Sequence, residues 1–155
     1  IMENKMELEM KSKYFKLFWV LFPVTKIVYG YLVYSFEISI NNSFNIMSLT
    51  LLIIGIIDCL ISIFLSKKIY KSSFYNGKFV KRLLLNRSNN NVQNHIYFKF
   101  NLFITLLGLT ETAALFGLVQ YLITGNLIVC GILFSFCIIS WLFNYPSIKE
   151  IEENQ

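Results

Sequence analysis

Four apolar runs, 15–36, 44–66, 98–123 and 127–145, divide this chain, and the segments between them turn sharply polar. Each run has the roughly 17 to 25 residues that carry a helix across a hydrocarbon layer. Apolarity within each run is continuous, not alternating with period two, which excludes the strands of a closed barrel. The pattern predicts an all-α membrane protein of four transmembrane helices in one domain, 1–155. The segments 37–43 and 124–126 are short and polar, suited to joining antiparallel neighbours in an up-down bundle.

Charge gives that bundle an orientation. Lys67, Lys68, Lys71, Lys78, Lys81, Arg82 and Arg87 fall between the second and third runs, and Lys5, Lys11, Lys13 and Lys16 lie before or at the start of the first. Neither short turn contains Lys or Arg. Because basic residues collect on the cytoplasmic face, both termini and the basic loop 67–97 are expected inside, with the two turns outside. Within the loop, 80–85 has the composition of a short interfacial helix and 88–91 that of a turn. Aromatic residues gather where span ends meet head groups: Tyr14, Phe15 and Trp19, then Tyr31, Tyr34 and Phe36, and finally Trp141 and Tyr145. They are expected to act as interfacial anchors.

Composition narrows the classes of function. The chain is 55% hydrophobic and 15% charged, with mean hydropathy +0.57, which lies outside the range of soluble domains. A net charge of +5 raises nucleic acid as a partner, but the basic residues sit between spans and not in a stripe, so the bilayer is the expected partner instead. Cys59, Cys130 and Cys137 all fall inside predicted spans without metal-ligand spacing and read as small core residues. His95 has no second His or nearby Cys and reads as an interfacial residue. No P-loop, G-x-G-x-x-G, H-E-x-x-H or G-x-S-x-G signature is present. The expectation is a non-enzymatic protein with no cofactor and no metal.

Three charged residues lie deep inside the apolar runs: Lys26, Asp58 and Glu111. A charge at the centre of a membrane helix costs roughly 2.5 to 3.5 kcal/mol on insertion scales, so pairing, protonation or a wet cavity is needed to offset it. At about 1.5 Å rise per residue the three lie at overlapping depths, so a small bundle can present them to one another. Lys26 is then a counter-ion for one acid and the other acid is left over. Glu111 is the leading candidate for a proton- or cation-binding group, with Asp58 second, because Glu111 lies nearest mid-span among small residues. Thr110 and Thr112 are its candidate hydrogen-bond donors. Ala113 and Gly117 form a small-xxx-small face on the side away from Glu111, whereas Gly108 and Ala114 lie beside it, and Gly131 and Ser135 form a second such pair suited to packing the fourth helix on the third.

The stretch 108–118, Gly-Leu-Thr-Glu-Thr-Ala-Ala-Leu-Phe-Gly-Leu, resembles the carboxylate helix of the c-type proteolipids of rotary ATPases, with Glu111 in the ion-carrying position. That likeness covers about a third of the chain and implies ion handling in an oligomer. The second helix departs from it, having only Gly55 where those proteins are glycine-rich, and Asp58 and Lys26 have no counterpart. Over most of its length the chain resembles small four-helix bacterial inner-membrane proteins of uncharacterised function, through the acid and Phe-Gly run of the third helix, the exit 121–126 and the ending 146–150. This implies a multi-pass protein of the cytoplasmic membrane, either a homo-oligomer or a subunit of a membrane complex. Two functions follow as expectations: ion binding or translocation through a buried carboxylate, or a non-catalytic structural or assembly role in which the charges pair permanently. A membrane enzyme of the glutathione- and eicosanoid-metabolising kind matches in size and helix count alone.

Overall fold

The computed structural model describes residues 2–36, 44–69 and 91–146, with side chains described over 13–36, 44–69 and 98–146. Those residues form four helices and no strand: α1 (Met2–Ser35), α2 (Ile46–Ile69), α3 (Asn91–Thr124) and α4 (Leu127–Phe143). Three of them contain segments long and apolar enough to cross a membrane, Lys13–Ser35, Ile46–Ile69 and Phe98–Thr124. α4 is apolar but has only 17 residues, about 25 Å at helical rise.

Several boundaries differ from those read in the sequence. α1 begins at Met2, ahead of its apolar span Lys13–Ser35, because the polar arm is rich in Glu, Lys and Met, all strong helix formers. The basic loop is shorter than 67–97. α2 runs through Lys67 and Lys68, whose charges suit a helix C-terminus, and α3 already starts at Asn91. The segments 80–85 and 37–43 lie outside the described residues, as does the side chain of His95.

Local chemistry explains where the helices begin and end. Asn45 accepts a hydrogen bond from the Ser48 amide at 2.7 Å, capping α2, and Asn126 accepts from the Val129 amide at 3.0 Å, capping α4. Between α3 and α4 the chain reverses at Gly125, whose φ of 68° places it in the left-handed region. Its amide closes the last turn of α3 on the Tyr121 carbonyl at 2.8 Å.

Residue pairings give the topology. Ser48 meets Gln120 and Ser62 meets Thr110, so α2 and α3 are antiparallel. Thr110 meets Ser140 and Gly117 lies against Cys130, so α3 and α4 are antiparallel too. Phe15 packs on Phe103, Thr25 reaches Glu111 and Tyr121 reaches Phe36, so α1 runs parallel to α3. The order is up-down-up-down, but α3 is central and α1 rests mainly on α3, not on its sequence neighbour α2.

The buried positions recur with heptad spacing. On α2 they are Ser48, Gly55, Cys59, Ser62, Ser66 and Ile69, with Leu52 partly buried in the same row. On α4 the row is Asn126, Cys130, Leu133, Cys137, Ser140 and Asn144. Spacings of three and four residues place such positions on one slowly winding seam, the geometry of left-handed helix packing. Most of these side chains are small, so the backbones come close. A Cβ placed on Gly55 would stand 2.6 Å from Leu133 Cδ2 and 3.4 Å from the Ala113 Cα. Cys59, Ala113, Val129 and Leu133 form the central core.

α1 is held differently. Its inward row is Phe15, Trp19, Phe22, Lys26, Tyr29 and Val33, of which Phe15 alone is fully buried. Trp19 stacks on Trp141 of α4 with ring centroids 4.4 Å apart, and the edge of Tyr145 meets Trp19 at 5.0 Å. Each indole N–H donates to the other tryptophan's carbonyl at 3.0 Å. The carbonyl of Trp19 is free for this because Pro23, four residues on, has no N–H to give it. Trp19, Trp141 and Tyr145, with Phe15 packed beside them, therefore clamp α1 to the rest of the bundle.

Two outcomes are expected of stability measurements in detergent. Trp141→Phe strands the Trp19 carbonyl and should cost about 1–3 kcal/mol in the parent but clearly less in a Pro23→Ala background, where a backbone N–H supplies the missing bond. Gly55→Leu overpacks the seam and should cost about 1–3 kcal/mol, whereas Gly131→Leu, at a position where a Cβ meets nothing within 4 Å, should be neutral or slightly stabilising.

Candidate functional site

α3 carries adjacent residues, Glu111 and Thr112, to opposite neighbours, because consecutive positions on a helix point about 100° apart. Glu111 faces α1. There the ammonium of Lys26 forms an ion pair with its Oε2. The pair is largely enclosed: the side chains keep 11% of their exposure for Lys26 and 18% for Glu111. Lys26 also donates to Thr25 Oγ1 at 2.9 Å and lies 3.6 Å from the centre of the Phe22 ring, a cation–π contact. The Thr25 hydroxyl stands 2.8 Å from the Phe22 carbonyl and 3.3 Å from Glu111 Oε2. The other oxygen, Glu111 Oε1, is buried with no hydrogen-bond partner.

Thr112 faces α2. Its hydroxyl lies 2.9 Å from Asp58 Oδ2 and 2.7 Å from the Leu109 carbonyl, so one proton is shared between the acid and the helix. Asp58 is half-buried, one position off the α2 seam, and no Lys or Arg comes within ion-pair distance of it among the described residues. The expectation that Glu111 is the acid left over is therefore corrected. Lys26 takes Glu111, and Asp58 is the acid without a cation among the described residues. Nor do the three charges converge, since α3 stands between them.

Thr110 and Thr112 do not serve Glu111 either. Thr110 points the opposite way, into a buried cluster with Ser62, Ser140 and Asn144. Its Oγ1 lies 3.1 Å from Ser62 Oγ, 2.9 Å from Ser140 Oγ and 3.1 Å from Asn144 Nδ2, and Asn144 Nδ2 also donates to Ser62 at 2.8 Å. All four side chains are essentially fully buried. A second polar contact joins α2 and α3 further along, where Gln120 Nε2 donates to Ser48 at 3.0 Å and to Thr124 at 2.6 Å. Sequence reasoning singled out neither layer. The signal was the heptad recurrence of Ser and Cys along α2 and α4, which is visible only when the seam and not the acid is followed.

The small residues divide in the same way. Ala113 and Gly117 lie in the interface with α2 and α4, and Ala114 is buried. Gly108 is exposed, with nothing near its missing side chain. Gly131 and Ser135 are also exposed, and Ser135 bonds back to the Gly131 carbonyl at 2.8 Å, so this pair does not pack α4 on α3. The row that does so is two residues away, at Leu133, Cys137 and Ser140.

Other chemistry is sparse among the described residues. The three cysteines are buried and unpaired, and no group of three or more His, Cys, Asp or Glu side chains is placed to hold a metal. A cavity of about 350 Å³ opens between α1 and α4, lined almost wholly by apolar atoms of residues such as Pro23, Gly30, Phe134, Cys137 and Trp141, with Lys26 at its wall. No family model matches this chain, and no curated protein or solved structure matches it.

Thr110→Val keeps the shape of the side chain but removes the hydroxyl at the centre of the buried cluster. It should lower the unfolding midpoint in detergent, by about 1–3 kcal/mol in free energy, because Asn144 loses a buried acceptor.

Proposed function

We propose that this chain is a multi-pass protein of the bacterial cytoplasmic membrane that works as a non-catalytic structural or assembly subunit of a membrane complex. Its outer surface favours lipid: Ile27 is 71% exposed, Tyr34 87% and Ile46 86%, and apolar surface on that scale is not left to water. The parallel course of α1 and α3 puts the N-terminus of α1, the C-terminus of α2, the N-terminus of α3 and the end of α4 on one side. That is the side bearing the Lys-rich segments, so both termini are cytoplasmic in this reading.

The observation that carries the assembly role is the Lys26–Glu111 ion pair. A buried carboxylate poised to exchange an ion needs its charge unspent, and here a cation of the same chain neutralises it and fastens α1 to α3. Such pairs suit registration of helices better than turnover of ions. Lys26→Met should destabilise the protein by about 3–5 kcal/mol by leaving Glu111 buried and uncompensated, and Lys26→Met with Glu111→Leu should recover most of that loss. Thermal unfolding of the reconstituted variants measures it. A proton or cation flux in proteoliposomes that disappears with Glu111→Gln, in protein that remains folded, would overturn this assignment.

A second reading places ion binding at Asp58, in the class of function that the proteolipid likeness suggests. It is favoured by one feature, a half-buried carboxylate whose hydrogen bond comes from a single hydroxyl. Proton uptake measured in parent and Asp58→Asn protein separates it from the assembly role.

A further inference from the structure

α3 presents heptad-spaced rows to its neighbours, and one row is uncovered. Thr105, Gly108, Leu115, Val119 and Leu122 are exposed, and Thr112, in the same row, is half-buried through its contact with Asp58. On the α2 side of this row Ile54, Ile57 and Ile61 are exposed as well. The result is a lengthwise face formed by α2 and α3, apolar for most of its length, with one uncompensated carboxylate near its middle.

The fold already shows how such a face is closed. α1 lies along the row of α3 that includes Phe103, Leu107, Glu111 and Leu118, and it brings Lys26 to Glu111. Asp58 contacts Thr112, one residue from Glu111, and so lies at the same level of the bundle. On the Asp58 side the acid is present at that level and no described cation meets it. The described basic residues of a second copy cannot supply it by the same arrangement. Lys26 is enclosed and committed to Glu111, and the other described basic residues, Lys13, Lys16, Lys67, Lys68 and Lys99, lie toward the ends of the apolar spans near one side of the bundle.

We infer that the α2–α3 face docks a transmembrane helix of a different protein that bears one Lys or Arg near its midpoint, with that cation paired to Asp58. The inference rests on the assembly reading above and gives it a partner. Charge complementarity selects the occupant, because an unmatched ammonium or guanidinium in lipid gains from a fixed carboxylate what no apolar helix can gain. Close approach is possible at Gly108, where a Cβ would meet nothing within 4 Å.

The test uses the full chain in liposomes, a donor dye on its cytoplasmic tail, and acceptor-labelled synthetic Leu/Ala helices that carry Lys, Leu or Glu at the centre. The Lys helix should bind about tenfold tighter than the Leu helix, and the Glu helix no better than the Leu helix. Asp58→Asn should erase the Lys preference, whereas Gly131→Leu, on the exposed side of α4, should leave it in place. Asp58→Lys should transfer the preference to the Glu helix, which separates a charge effect from a folding defect. Equal binding of the Lys and Leu helices to the parent protein overturns the inference, as does an energy-transfer signal between two labelled copies of this chain that depends on Asp58. Either result leaves the Lys26–Glu111 stability cycle, and the role read from it, untouched.

Discussion

Close approach of helix backbones at small residues is the constraint on which this bundle depends. With lipid around it, as proposed, removing Leu or Ile from contact with hydrocarbon gains little, since the solvent is as apolar as the side chain. Cohesion must come from dense contact and from polar groups that have nowhere else to bond. Ser48, Gly55, Cys59, Ser62 and Ser66 give α2 a thin inward face, and Ala113 and Gly117 give α3 one to match. Thinness then allows short polar side chains to reach across. Ser62, Thr110, Ser140 and Asn144 touch because three backbones have come close, and their hydrogen bonds in turn fix the register of those backbones.

α1 lacks that thin face and is attached by other means. Its inward row is bulky and aromatic, so it stands further out, and its span contributes no fully buried position beyond Phe15. The Phe15 contact with Phe100 and Phe103, the reciprocal tryptophan clamp, the edge contact of Tyr29 with Phe134 and the Lys26–Glu111 pair hold it. The clamp depends on an apparent defect. Pro23 breaks the internal hydrogen-bond ladder of α1, and the carbonyl that it releases becomes an interhelical acceptor for Trp141. Packing of a core and docking of a peripheral helix therefore use different chemistry within one small fold.

The helices were legible in the sequence because hydropathy responds to the solvent around a residue, and runs of 17 or more apolar residues leave few alternatives. Helix extent was less legible at the polar ends, where α1 and α3 continue through residues that a hydropathy reading treats as loop. Facing was the least legible. Thr110, Glu111 and Thr112 are consecutive, and spacing alone made them one constellation. Each in fact addresses a different side: the α2–α4 core, α1, and Asp58. In a helix buried on several sides every face is apolar, so periodicity cannot say which face meets which neighbour. Small residues mislead similarly. Gly131 and Ser135 have packing spacing but lie two residues off the seam, whereas Cys137 and Ser140 make it.

The two acids show how much of their meaning comes from position and how little from chemical type. Both are carboxylates at one level of the bundle, each contacted by a threonine hydroxyl. Glu111 lies in a row that α1 covers, and a cation of the same chain meets it; Asp58 lies beside a row that no described residue covers. A longer side chain also reaches further, and Glu111 spans toward α1 while the shorter Asp58 stays against Thr112. The burial penalty that made both residues conspicuous is thus met within the chain for one of them. The other, Asp58, is half-buried and among the described residues is met by a single shared hydroxyl proton.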